Sequence, residues 1–132
     1  MRLLAGMAVA LAAVTAACGG STSSGTGPST GITCSTLPDN KTFLIVNNAI
    51  CPTTVTITRG TQVTFINNDG RAHEMNSNPH PEHTDCPEIN QVGHLEPGQS
   101  RQTGNLNIVR SCGFHDHLND QNRALQGTIT IQ

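Results

Sequence analysis

The 132-residue chain has no tryptophan, no tyrosine and only three phenylalanines. Charged residues make up 12% of it, and the formal net charge is −2 with all histidines neutral. So few charges exclude a coiled coil or a strongly charged disordered chain. The weak negative balance excludes the basic patch that nucleic-acid binding requires. Phosphate-cradling loops, nucleophile elbows and convincingly paired carboxylates are also missing, so the chain reads as a non-enzyme. What it does have is five cysteines and six histidines. All six histidines lie between His73 and His117. The length suits about one domain.

The first segment reads as a targeting signal, not as part of the fold. Met1-Arg2 is a short basic start, Leu3 to Val14 is apolar, and Thr15-Ala16-Ala17 is a small-residue cleavage region. Residues 1–17 therefore read as a signal peptide, too short to remain across a bilayer. The stretch Val14-Thr15-Ala16-Ala17-Cys18 resembles the lipobox of bacterial lipoproteins. That resemblance implies cleavage before Cys18 and a lipid on its thiol. The protein would then be exported and lipid-anchored to the bacterial cell envelope, on its periplasmic or outer face, touching membrane through the lipid only. An ordinary signal peptide would instead leave Cys18 as an odd cysteine. Residues 18–31 are rich in Gly, Ser and Thr and hold no large apolar residue. They read as a flexible tether with a root-mean-square span of about 20 Å.

Residues 32–132 carry the pattern of a folded domain. Thr42-Phe43-Leu44-Ile45-Val46 reads as a strand. Thr53 to Thr58 alternates, with Val55 and Ile57 on one face, and Thr61 to Ile66 alternates with Val63 and Phe65 inward. Arg59-Gly60, Asn67-Asn68-Asp69-Gly70 and Pro97-Gly98 are turn signals. Leu106-Asn107-Ile108 and Gly127 to Ile131 add two further period-2 runs. Helical spacing never persists beyond a turn or two. The expected fold is all-β, a Greek-key sandwich or barrel.

The histidines and cysteines suggest a metal. His73 follows the turn at Asn68-Asp69-Gly70. Cys112-Gly113-Phe114-His115-Asp116-His117 reads as lying just after a strand and before a loop. Thiolate and imidazole are ligands that suit copper or zinc. One upstream His, then a Cys and a His close together, is the sequence shape of a trigonal His₂Cys copper site.

At these residues the sequence resembles the cupredoxins, the plastocyanin-like and azurin-like domains. Pro52 to Asp69 followed by His73 is similar to the family's strand, turn, strand and first ligand. Cys112-Gly113-Phe114-His115 is similar to its thiolate and second imidazole, and Leu125 to Ile131 to its closing strand. The resemblance implies a Greek-key sandwich with one copper ion, held by His73, Cys112 and either His115 or His117. It implies a monomeric one-electron carrier that meets a redox or copper-exchange protein. Leu125 stands where the family usually has an axial methionine. Met75 would share a face with His73 on an extended chain and is the candidate axial group. His80 and His83, on a proline-rich loop, read either as solvated or as a secondary metal contact. The alternatives are a copper-binding, delivery or storage protein with a His-rich, non-blue site, and a structural sandwich stapled by disulfides.

Cysteine parity pulls against the thiolate. With Cys18 lipidated, Cys34, Cys51, Cys86 and Cys112 remain. Cys34 and Cys51 flank the first strand and could staple the N-terminal segment to the sheet. A Cys86–Cys112 bond would leave no thiolate, whereas Cys112 on copper would leave Cys86 odd. His94 reads as structural or exposed. Asp116 could orient His115 or His117 by accepting a ring N–H.

Overall fold

The computed structural model describes residues 31–132. The signal peptide, Cys18 and the tether before Gly31 lie outside the described residues. Among the described residues nine strands form two sheets: β1 (Thr42–Val46), β2 (Ala49–Cys51), β3 (Thr54–Ile57), β4 (Thr64–Asn67), β5 (His73–Ser77), β6 (Gly93–Leu95), β7 (Ser100–Gln102), β8 (Arg110–Asp116) and β9 (Gly127–Ile131). One sheet runs in the order β2-β1-β4-β7 and the other β3-β9-β8-β5-β6. Pairing is mixed, with β1 parallel to β4 and β3 parallel to β9. Among the described residues the helical pieces are three 3-10 turns, and no helix is long and apolar enough to cross a membrane. The expected β-sandwich is what forms.

Local sequence explains the best-defined strands. β1 is a run of aromatic and branched residues, a composition that fits a pleated surface, and four of its five residues are buried. β3 alternates, with Thr54 and Thr56 exposed and Val55 and Ile57 buried. Asn47 and Asn48, both at positive φ, make the tight hairpin into β2. The three phenylalanines meet in the middle. Phe43 and Phe65 come from one sheet and Phe114 from the other, with ring centroids 4.8–5.0 Å apart. This cluster joins the sheets across the core.

Two strand expectations change. Leu106-Asn107-Ile108 is not a strand. Leu106 makes an isolated bridge with Thr61, and Ile108 is exposed. A single bridge is too little pairing to make a ladder of this short alternation. Conversely, Cys112 does not follow a strand. It lies in the middle of β8, which continues to Asp116.

Two disulfides close the fold. Cys34–Cys51 ties the segment before β1 to β2. Cys86–Cys112 ties the loop after β5 to the middle of β8. Both Cys86 and Cys112 are fully buried in the core.

Candidate metal centre

Strand alternation decides which side chains of β8 can meet, because successive residues point to opposite faces. Cys112, Phe114 and Asp116 share the buried, core-facing side. Gly113 and His115 face the other way, under the loop that follows β5. Cys112 and His115 are three positions apart, an odd spacing, so they diverge. His115 and His117 are two apart and can converge.

The loop between β5 and Cys86 supplies the other side. Asn78 starts it: its N–H donates to Gly113 O at 3.0 Å, and its carbonyl accepts from Asp85 N at 2.8 Å. His83 sits at φ 53°, a left-handed conformation uncommon outside glycine. It is held there from both sides. Its N–H donates to Pro79 O at 2.7 Å, and its carbonyl accepts from Asn90 Nδ2 at 2.9 Å. Strained backbone of this kind persists where surrounding contacts over-determine it, and it collects at functional sites.

Loop and strand together bring four imidazoles into one place. One ring nitrogen from each of His80, His83, His115 and His117 lies within 4.8 Å of the others. Ring centroids are 4.8 Å apart for His83 and His117, 4.9 Å for His80 and His117, and 5.2 Å for His83 and His115. Nitrogens around an ion at about 2.1 Å would stand roughly 3.4 Å apart in a tetrahedron and roughly 4.2 Å across a square. The group therefore needs only a small contraction to close on a metal. The Nδ1 of His117 lies 3.2 Å from the Nε2 of His83, so these two rings share a hydrogen bond. His115 is buried, and its Nε2 has no hydrogen-bond partner. A buried bare polar atom is costly and calls for an explanation. His80 forms the exposed rim, 3.9 Å from Asp120.

Two of the four rings are shifted toward the neutral form. Burial lowers the pKa of His115, and repulsion from His83, His80 and His117 adds to it against a smaller opposing pull from Asp120. Burial also lowers that of His83, with repulsion from His117 and His80 outweighing Glu74 and Glu82. Neutral imidazole is the metal-binding form.

Expected ligands outside this group lie elsewhere. Cys112, expected as the thiolate ligand, is bonded to Cys86 and offers none. His73 is not in the cluster either. It is buried, with Nδ1 donating to Asp116 Oδ2 at 2.8 Å and Nε2 3.2 Å from Asp69 Oδ2. Carboxylates thus occupy both ring nitrogens. Asp116 serves His73, not His115 or His117, because its parity places it on the core side. It also accepts from the N–H groups of Glu74 and Leu118. Burial pushes the Asp116 carboxyl up, but these hydrogen bonds, His73 first, bring it below its ordinary value. Met75 is fully buried in the core. His94 is exposed beside Glu96.

Sequence reasoning missed Asn78. Its Oδ1 lies 2.8 Å from His115 Nδ1. An Asn before Pro reads as a turn, and no spacing connects it to a histidine 37 residues away.

No protein-family model matches the chain, and no curated protein matches it. Solved structures do. A purple cupredoxin from Nitrosopumilus maritimus is similar over 69% of this chain and 98% of its own, at 16% identity and a TM-score of 0.54. Amicyanin from Paracoccus versutus is similar over 76% and 90%, at 14% identity and a TM-score of 0.57. Plastocyanin from Dryopteris crassirhizoma is similar over 69% and 99%, at 16% identity and a TM-score of 0.52. The chain therefore has the cupredoxin fold.

The family resemblance in the sequence led to an expectation of one copper ion, and the donor set tests it. A blue copper centre needs a thiolate. Cys34, Cys51, Cys86 and Cys112, the cysteines among the described residues, are all in disulfides. Leu125 is a buried aliphatic residue. A blue centre does not fit. Four imidazoles do fit an ion that accepts nitrogen ligands, such as Cu(II) or Zn(II).

Proposed function

We propose that this protein holds one copper ion on His80, His83, His115 and His117, as a non-blue site for copper binding and delivery. The observation that carries this reading is the convergence of four imidazoles, one of which, His115, has a buried Nε2 without a hydrogen-bond partner. Imidazoles without thiolate or thioether favour Cu(II), since Cu(I) prefers soft sulfur ligands. The blue one-electron carrier expected from the family resemblance is disfavoured for the same reason. Export to the cell envelope, with Cys18 lipidated, agrees with two disulfides, which persist in oxidising compartments. The partner is then another copper-handling protein that meets the exposed His80 rim.

A titration of the purified protein with Cu(II), and separately with Zn(II), tests the reading. One tightly bound Cu(II) per chain is expected. Loss of even an outer partner of a metal ligand costs about 10–100-fold in affinity, so His115→Ala should cost at least about 100-fold. Absence of binding, or a His115→Ala variant that binds like the parent, would overturn the assignment.

A further inference from the structure

We propose that Asn78 is the positioning residue that decides which nitrogen of His115 faces the metal, an inference that rests on the four-histidine reading above. The Asn78 amide oxygen lies 2.8 Å from His115 Nδ1. An amide oxygen can only accept, so Nδ1 carries the ring proton and Nε2 keeps its lone pair. That Nε2 is the buried atom without a partner. The proton and the bare acceptor are thus divided between the two sides of the ring, which packs 5.3 Å from His80 and 5.2 Å from His83 between centroids. A hydrogen bond at the second ring nitrogen is how metal-binding histidines are commonly held in one tautomer and one orientation.

The surroundings keep Asn78 in place. Its backbone is bonded to Gly113 and Asp85, and Ser77 Oγ donates to its carbonyl at 2.9 Å. Its side chain lies directly over Gly113, where an added Cβ would meet Nδ2. Glycine at 113 is therefore what lets the amide reach across β8 to His115. The same residue opens the loop that carries His80 and His83. It couples the loop half of the cluster to the strand half. The reversed amide would turn Nδ2 toward His115 Nδ1 and move the ring proton to Nε2. An N–H would then point into the cluster, where a metal needs a lone pair.

The test uses the purified metal-free protein, then Cu(II) alone as the probe. A ¹⁵N–¹H multiple-bond correlation spectrum above the imidazole titration range should show His115 protonated at Nδ1 and bare at Nε2. Asn78→Asp keeps an acceptor and should bind Cu(II) about as tightly as the parent. Asn78→Leu removes the acceptor and should bind about 10–100-fold more weakly. A parent protein with His115 protonated at Nε2 would overturn the proposal, as would Asn78→Leu binding at full affinity or Asn78→Asp losing binding. A parent that binds no Cu(II) would remove the four-histidine reading itself. A parent that binds with an indifferent Asn78→Leu removes only the role of Asn78.

Discussion

Cys112 and His115 lie three residues apart on one strand and face opposite sides of its sheet. Cys112 is bonded to Cys86 in the core. His115 turns outward beneath the loop of His80 and His83 and joins their cluster. One strand thus carries a structural clamp on one face and part of the histidine cluster on the other. The clamp also bears on the cluster. Cys86 closes the loop three residues after His83, so the bond fixes the loop against the strand that supplies its partners.

Breaking this clamp should cost stability without removing any colour. The bond spans a sequence separation of 26 residues. By loop-closure entropy it contributes about 3.5 kcal/mol. Cys112→Ser should lower the unfolding free energy by about that much in a urea titration. The copper-loaded parent should show no intense thiolate band for the substitution to abolish. An intense band lost in Cys112→Ser would contradict the account.

The His73 network should matter for folding and not for copper count. His73 links β5 to Asp116 at the end of β8 and to Asp69 in the turn before β5. Hydrogen bonds to charged groups contribute about 1.5–3 kcal/mol each, and stranding the buried Asp116 carboxylate adds to the loss. His73→Ala should destabilise the domain by about 2–4 kcal/mol. It should still bind one Cu(II) per chain below its melting point. A variant that folds fully but binds no copper would place His73 in the metal site.

Acid should weaken the metal-free domain in two stages. His83 and His115 are lowered from the ordinary value of 6.5, so they stay neutral in the fold while their unfolded counterparts protonate. The unfolded state then binds more protons, and stability falls as pH drops through 6.5 toward the folded values. Asp69 and Asp116 are lowered from 3.8. Their contribution is complete above 3.8 and is lost as pH falls through their folded values. Urea midpoints across this range should step down near the imidazole region and again in strong acid. Copper affinity should fall with the first step, because protons compete for the same nitrogens. Stability that rises between neutral pH and the imidazole range on acidification would contradict the site's electrostatics.

A single methyl group should disturb the site from outside it. At Gly113 a Cβ would meet Asn78 Nδ2 and press the amide away from His115. Gly113→Ala should reduce Cu(II) affinity by about tenfold or more, as loss of an outer partner does. Calorimetric titration checks this. Unchanged affinity would mean that the loop adjusts without moving the amide.

Much of the sandwich was legible, and the reason is alternation. β1, β3, β4 and β9 are runs of branched and aromatic residues bounded by turn residues, and each forms close to where its pattern lies. β5 and β8 were harder. His73-Glu74-Met75-Asn76-Ser77 carries polar residues on both faces, because one face holds the buried hydrogen bond from His73 to Asp116 and the other the contact between Glu74 and Asn76. The same holds for Cys112 to Asp116. Without an apolar alternation the end of β8 could not be placed. The parity that separates Cys112 from His115 stayed hidden with it. His115 and His117 were visible as candidate ligands, and His80 and His83 as a possible secondary contact. Their convergence was not, since it depends on how a loop held by Asn78, Asn90 and a disulfide folds back over β8.

The most direct test of the central claim is the electron paramagnetic resonance spectrum of the protein loaded with one Cu(II), read beside its visible spectrum. Four imidazoles predict a large copper hyperfine splitting with nitrogen superhyperfine structure, and only weak visible absorption. An intense visible band with a small hyperfine splitting would mean a thiolate on copper, and would contradict the four-histidine site.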